Sequence, residues 1–253
     1  MGEVVDPHIW DRFDMVAVLT YTGYKDRQPA LWAELERVGL KDRVEWFWDF
    51  DNPFMTRLAN NLRIDRSIPK VDVFRCVMNH YRALKTAAEL RKEHVLVLED
   101  DVRFIRDPGV LAAAVSSIPS DYDIAKLEWF PRGPLMSAEP ADRQAREAVE
   151  WVPSVDFSTY GGAAVAYSLA GAQWKTGFME RCADYTDLHS CLYGNDDYDV
   201  PRNMGSLRGY VSRPCVAVQR RFNRYHTLNP RTGYLYVAPW QYVGGSIDGY
   251  GDV

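Results

Sequence analysis

The sequence contains no CxxC pair. Its four cysteines, Cys76, Cys182, Cys191 and Cys215, are scattered, and a chain of 253 residues does not need them as staples. Reduced thiols are the expectation. There is no basic excess either: the formal net charge is -5, so no overall positive field is available to hold nucleic acid. No apolar run approaches the roughly 20 residues of a membrane-spanning helix. The opening MGEVVDPHIWDRFD lacks a basic stretch followed by an apolar one, and Asp6 stands where a myristoylation signal needs Ser or Thr. No internal repeat or low-complexity tract is present. These absences together predict a cytoplasmic protein.

What is present is a hydrophobic fraction of 47%, enough for a sizeable core. Met15 to Thr20 is a short continuous apolar run, suited to a strand covered on both faces, followed by a polar loop through Arg27. Pro29 opens a helix that reaches Val38 and stops at Gly39. Val44 to Trp48 reads as a second strand. From Val71 to Arg91, the apolar residues Phe74, Val77, Met78, Tyr81, Leu84 and Ala88 recur at helical spacing. Val95 to Leu98 is a third strand, Asp107-Pro108 opens a further helix, and Tyr122 to Trp129 is another strand. A polar insertion spans Pro131 to Glu150. Gly161 to Ser168 is a strand of small residues with a helix behind it from Leu169 to Arg181, and Gly209 to Val218 is one last strand. The alternation predicts an α/β sandwich with a mostly parallel central sheet and an irregular C-terminal extension.

The third strand drives into three consecutive carboxylates, Glu99, Asp100 and Asp101. Ionised acids buried without compensation cost many kcal/mol. Water compensates them in an open loop; a divalent cation does so in a cleft, because carboxylates are preferred ligands of Mg²⁺ and Mn²⁺. In parallel α/β sheets, ligands bind outside the carboxyl ends of the strands, where this triplet falls.

Arg75 to Lys85, containing Asn79-His80 and then Lys85 five residues after the histidine, together with the strand ending Leu-Glu-Asp-Asp-Val, resembles the bacterial lipooligosaccharide glycosyltransferases of glycosyltransferase family 25. Asn79 replaces the serine usual in that family. Looser similarity covers Arg27, Asp123 to Leu127, Gly162 to Ser168, and Arg213 to Gln219. The resemblance implies a GT-A-type, Rossmann-like fold in a single domain over 1–253, with a nucleotide-sugar-binding core at 15–182 and an acceptor-side segment at 183–253. It implies a UDP-hexose donor, galactose or glucose, a Mn²⁺ or Mg²⁺ cofactor, a glycan or glycolipid acceptor, and inversion at the anomeric carbon.

On that reading Asp101 is the metal ligand, with Glu99 and His226 as further candidates, and Glu99 or Asp100 holds ribose or sugar hydroxyls. His80, Lys85, Tyr21 and Arg27 are candidates for contact with the donor, although a packed histidine, a solvated lysine and ordinary loop polarity account for the same residues. The acidic cluster Asn195 to Pro201 supplies the base, Asp197 first and Asp196 or Asp199 otherwise. A turn rich in Asn and Asp is the plainer account of it. Arg220 and Arg221, in Arg220 to His226, suit a diphosphate, anionic lipid at a membrane face, or a solvated turn. Aromatics alternating from Tyr234 to Tyr242 suit acceptor sugars or core cover. Two rival readings remain. Trp46 to Asp51 superficially resembles the haloacid-dehalogenase-type phosphatases, with Asp49 as nucleophile and Asp51 as acid, but Pro53 stands where that family has Thr or Val. The other is a non-catalytic carbohydrate-binding module.

Overall fold

Six consecutive buried residues, Met15 to Thr20, form the strand β1, covered on both faces. The computed structural model describes residues 5–20, 25, 27–48, 70–105, 107–128, 130–131, 149–153, 159–160, 162–184, 207–213 and 215–219. Within them β1 (Met15–Thr20), α1 (Gln28–Arg37), β2 (Val44–Trp48), α2 (Lys70–Glu89), β3 (His94–Glu99) and β4 (Val102–Phe104) follow in turn. Next come α3 (Pro108–Ser116), β5 (Ile124–Lys126), β6 (Phe130–Pro131), β7 (Glu150–Pro153), β8 (Thr159–Tyr160), β9 (Ala164–Ser168), α4 (Leu169–Asp184), β10 (Gly209–Arg213) and β11 (Ala217–Gln219).

The main sheet has seven strands in the order β2-β1-β3-β9-β5-β10-β7. β2, β1 and β3 pair in parallel, as do β5 and β10, while β9 and β7 run antiparallel to their neighbours. Alternate residues of each central strand enter separate cores. Val16, Val18, Leu96 and Leu98 pack with Leu31 and Leu35 of α1 and with Leu111, Ala114 and Val115 of α3. Met15, Ala17, Leu19, Val95 and Val97 pack with Ala83, Leu84 and Ala87 of α2 and Ala172 of α4. The result is the three-layered, mostly parallel α/β sandwich expected, of Rossmann-like type.

Connection handedness explains the helix placement. The chain steps from β1 outward to β2 through α1, then reverses direction and crosses to β3 through α2. Because parallel crossovers are right-handed, reversal puts α2 on the opposite face from α1. The two crossovers diverge at the carboxyl ends of β1 and β3, the position at which open α/β sheets have their ligand crevice.

The strand limits of β1 and β2 are those read from sequence. Helix α1 ends where Gly39 takes a φ of 75°, and Asp107 caps α3 by accepting from the backbone N–H of Gly109 and Val110. Three expectations are corrected. The strand of 122–129 is confined to β5. The single strand of 209–218 is two, β10 in the main sheet and β11 paired antiparallel with β4 in a second sheet, with Pro214, which has no N–H to donate, between them. Finally, the small-residue strand β9 is inserted antiparallel between β3 and β5, which strand-helix alternation alone does not reveal. At its far end α4 approaches β5 so closely that a Cβ on Gly171 would stand 2.0 Å from the carbonyl oxygen of Asp123. The polar insertion at 132–148 and the segment from 220 onward lie outside the described residues.

Candidate active site

Strand pleating answers the question posed by the acidic triplet. Side chains alternate between faces along a strand. Glu99 therefore follows Val95 and Val97 toward α2, and Asp100 follows Leu96 and Leu98 toward α1. On the α2 face, His80 Nε2 donates to Glu99 Oε1 at 3.0 Å, and His80 is only 3% exposed. On the α1 face, Arg27, immediately before α1, donates from Nη1 to Asp100 Oδ1 at 2.9 Å, and Thr20 Oγ1 donates to Asp100 Oδ2 at 3.2 Å. Two adjacent like charges are thus turned apart and given separate partners.

Asp101 is the remainder. Arg27 Nη1 lies 3.6 Å from its Oδ2, but its Oδ1 is buried with no hydrogen-bond partner among the described residues. Burial pushes the Asp101 carboxyl well above the usual carboxylate range, and the charges of Glu99 and Asp100 push the same way against Arg27. Burial also raises Asp100, with Arg27 opposing most strongly. With Asp100 only 2% exposed, one guanidinium serves two carboxylates.

The surroundings are built from residues to which the sequence assigned no role of their own. Thr20 closes β1 with a hydroxyl at the crevice. Asn79 Nδ2 donates to the Thr20 carbonyl at 3.2 Å, which ties α2 to the end of β1. Gly162 faces Glu99, and a Cβ there would lie 3.4 Å from Glu99 Oε1 and 3.9 Å from His80 Nε2. Glu128 is fully buried and accepts from the Ala163 N–H through Oε2 at 3.1 Å, while the Glu99 N–H donates to the Ala163 carbonyl at 2.9 Å. The repeated Leu-Glu pair at strand ends, Leu98-Glu99 and Leu127-Glu128, is the signal that could have found it.

The structure brings together Arg27, His80, Glu99, Asp100 and Asp101. It does not bring Lys85 to them: Lys85 Nζ donates to Glu180 Oε1 of α4 at 2.7 Å and lies over the Tyr81 ring. Five residues beyond His80 on a helix, it has turned to another face and moved away from the crevice. Tyr21, Asp196, Asp197, Asp199, Arg220, Arg221 and His226 lie outside the described residues, as do Asp49 and Asp51. Among the described residues, no three His, Cys, Asp or Glu side chains converge as a metal-ligating group, and no helix is long and apolar enough to cross a membrane.

No protein-family model matches the chain, nor does any curated protein sequence. Among solved structures, mannose-1-phosphate geranyltransferase from Thermus thermophilus is similar over 78% of this chain and 72% of that one, at 12% identity and a TM-score of 0.33. At that level the likeness implies nothing about this chain's substrates.

Proposed function

We propose that the chain is a metal-dependent glycosyltransferase that moves a hexose, galactose or glucose, from a uridine diphosphate donor to a hydroxyl of a glycan or glycolipid, inverting the anomeric carbon. One observation carries the reading: the acidic triplet and Arg27 meet at the carboxyl ends of β1 and β3, where the sheet's connections diverge. That is where open α/β sheets bind ligands.

In this reading Arg27 meets the donor diphosphate while holding Asp100, and Glu99, oriented by His80, accepts hydrogen bonds from donor hydroxyls. Gly162 leaves room above that pair. The acceptor oxygen bonds to the anomeric carbon as the bond to the diphosphate oxygen breaks, the electron pair departing with the diphosphate. The acceptor proton passes to a carboxylate, for which Asp197 is proposed, with Asp196 and Asp199 beside it. Arg220 and Arg221 are proposed to cover the diphosphate.

The residues present fit a Mn²⁺ or Mg²⁺ ion. Asp101 Oδ1 is a buried carboxylate oxygen without a partner among the described residues, and Mg²⁺-type sites commonly use one or two carboxylates, with substrate phosphates and water completing the set. Asp101 would hold the ion, with Glu99 and His226 as further candidate ligands. When bound, it supplies positive charge that stabilises the departing diphosphate. Calorimetric titration with uridine diphosphate tests the reading: binding should require Mn²⁺ or Mg²⁺. Binding indifferent to the metal, or no binding at all, counts against it.

A further inference from the structure

Three tryptophans take no part in the chemistry above. Trp46 and Trp48 share one face of β2, their ring centroids 5.9 Å apart and their planes inclined by 27°. Trp32 of α1 stands 4.8 Å from Trp46. Among the described residues β2 is an edge of the sheet. Trp32 is 39% exposed, and Trp46 and Trp48 are half-buried.

This aromatic stair ends at the candidate site. β1 and β2 pair with Thr20 opposite Trp48, and Thr20 donates to Asp100. Asp100, Thr20 and Trp48 therefore form a row across the carboxyl ends of β3, β1 and β2, on the face covered by α1. With neighbouring strands about 4.8 Å apart, Trp48 lies about 10 Å from Asp100, a span that a ribose and its base bridge. The strand end is also anchored, since Arg82 of α2 donates from Nη1 to the Trp48 carbonyl at 2.6 Å. Trp46 backs the Trp48 ring, and Trp48 is the one of the pair nearer the carboxyl end of the strand.

We infer that Trp48 is the stacking platform for the nucleobase of the donor. The inference rests on the donor reading above and adds the subsite for the base. In open α/β sheets the pyrophosphate lies near the first helix N-terminus, here next to Arg27, and the ribose is met from the end of the second strand, here Trp48. Every nucleobase presents a π-face, so an indole backed by Trp46, on a strand end anchored by Arg82, supplies affinity without selecting the base.

The test compares calorimetric binding of uridine diphosphate and of inorganic pyrophosphate, both with Mn²⁺, to the wild type, Trp48→Leu and Trp48→Phe. Trp48→Leu should bind uridine diphosphate about tenfold or more weakly and pyrophosphate as the wild type does, while Trp48→Phe keeps most of the nucleotide affinity. Unchanged nucleotide affinity in Trp48→Leu, or equal weakening for both ligands, overturns the platform. If the wild type binds pyrophosphate but gains nothing from the nucleoside, the platform alone fails; if it binds neither, the donor reading fails as well. Should Trp48→Leu not fold, intrinsic fluorescence decides. Quenching by uridine diphosphate but not by pyrophosphate, lost in Trp48→Phe, supports the platform, and its absence in the wild type overturns it.

Discussion

Arg27 Nη1 stands between Asp100 Oδ1 at 2.9 Å and Asp101 Oδ2 at 3.6 Å, a single positive charge placed against one buried and one half-buried carboxylate. Removing it leaves both acids uncompensated beside Glu99. Arg27→Met should therefore destabilise the fold by about 3 kcal/mol or more, the usual cost of breaking a buried pair from one side. Urea unfolding at pH 7 measures this. A loss within about 0.5 kcal/mol, the range of ordinary surface substitutions, would show that the pair is solvated.

Asp101→Asn should separate stability from activity. The amide removes a charge that burial and its two acidic neighbours both oppose, so the melting temperature should rise; in a chain of this size each 1 kcal/mol of relief appears as roughly 2–4 °C. Turnover should fall at least about 100-fold, as for loss of one electrostatic contact to a transition state. A variant that retains turnover removes Asp101 from the mechanism.

The pH dependence follows from the direction of the shifts. Asp100 and Asp101 both titrate higher in the folded chain than in the unfolded one, so the native state binds more protons over that interval. Their contribution to stability is present below the ordinary aspartate range, near pH 4, and is lost as pH rises through the folded values. A divalent cation should restore it. Mn²⁺ is expected to raise the melting temperature at pH 7 and to have little effect near pH 4, measured by calorimetric scans; equal effects at both values would place the ion elsewhere.

Gly171→Ala probes the fold without touching the crevice. Its Cβ would meet the Asp123 carbonyl oxygen at 2.0 Å, and a strand backbone cannot yield as a side-chain tip can. Destabilisation of about 3 kcal/mol or more is expected, at the upper end of overpacking effects. Circular dichroism melting reads it, and a near-neutral result would mean that α4 sits further from β5.

Lys85→Met is the complementary control. Because Lys85 pairs with Glu180 on the exposed surface, neither nucleotide affinity nor melting temperature should change beyond experimental error. A loss of affinity without loss of stability would return Lys85 to the donor site, as the family resemblance implies.

Periodicity alone determined a good deal. The apolar runs at Met15–Thr20 and Val95–Leu98 read as strands covered on both sides, the three-and-four spacing around Leu84 as a helix with one buried stripe, and the acids after Leu98 as the end of a strand. Arg27 was legible as a polar residue in the loop after the first strand, whereas His80 stood out from an ordinary packed histidine only through the family resemblance. Side-chain spacing within one element says nothing, however, about which elements become neighbours. That β9 enters antiparallel between β3 and β5, that Gly162 and Glu128 thereby flank Glu99, and that Trp48 falls beside Thr20 are products of strand order, set by packing across the whole sheet. The separation of Glu99 from Asp100 onto opposite faces joins the two levels. Alternation along the strand is local and readable in the chain, but the partners that stabilise it, His80 within α2 and Arg27 just before α1, come from opposite sides of the sheet, and only the folded arrangement brings them there.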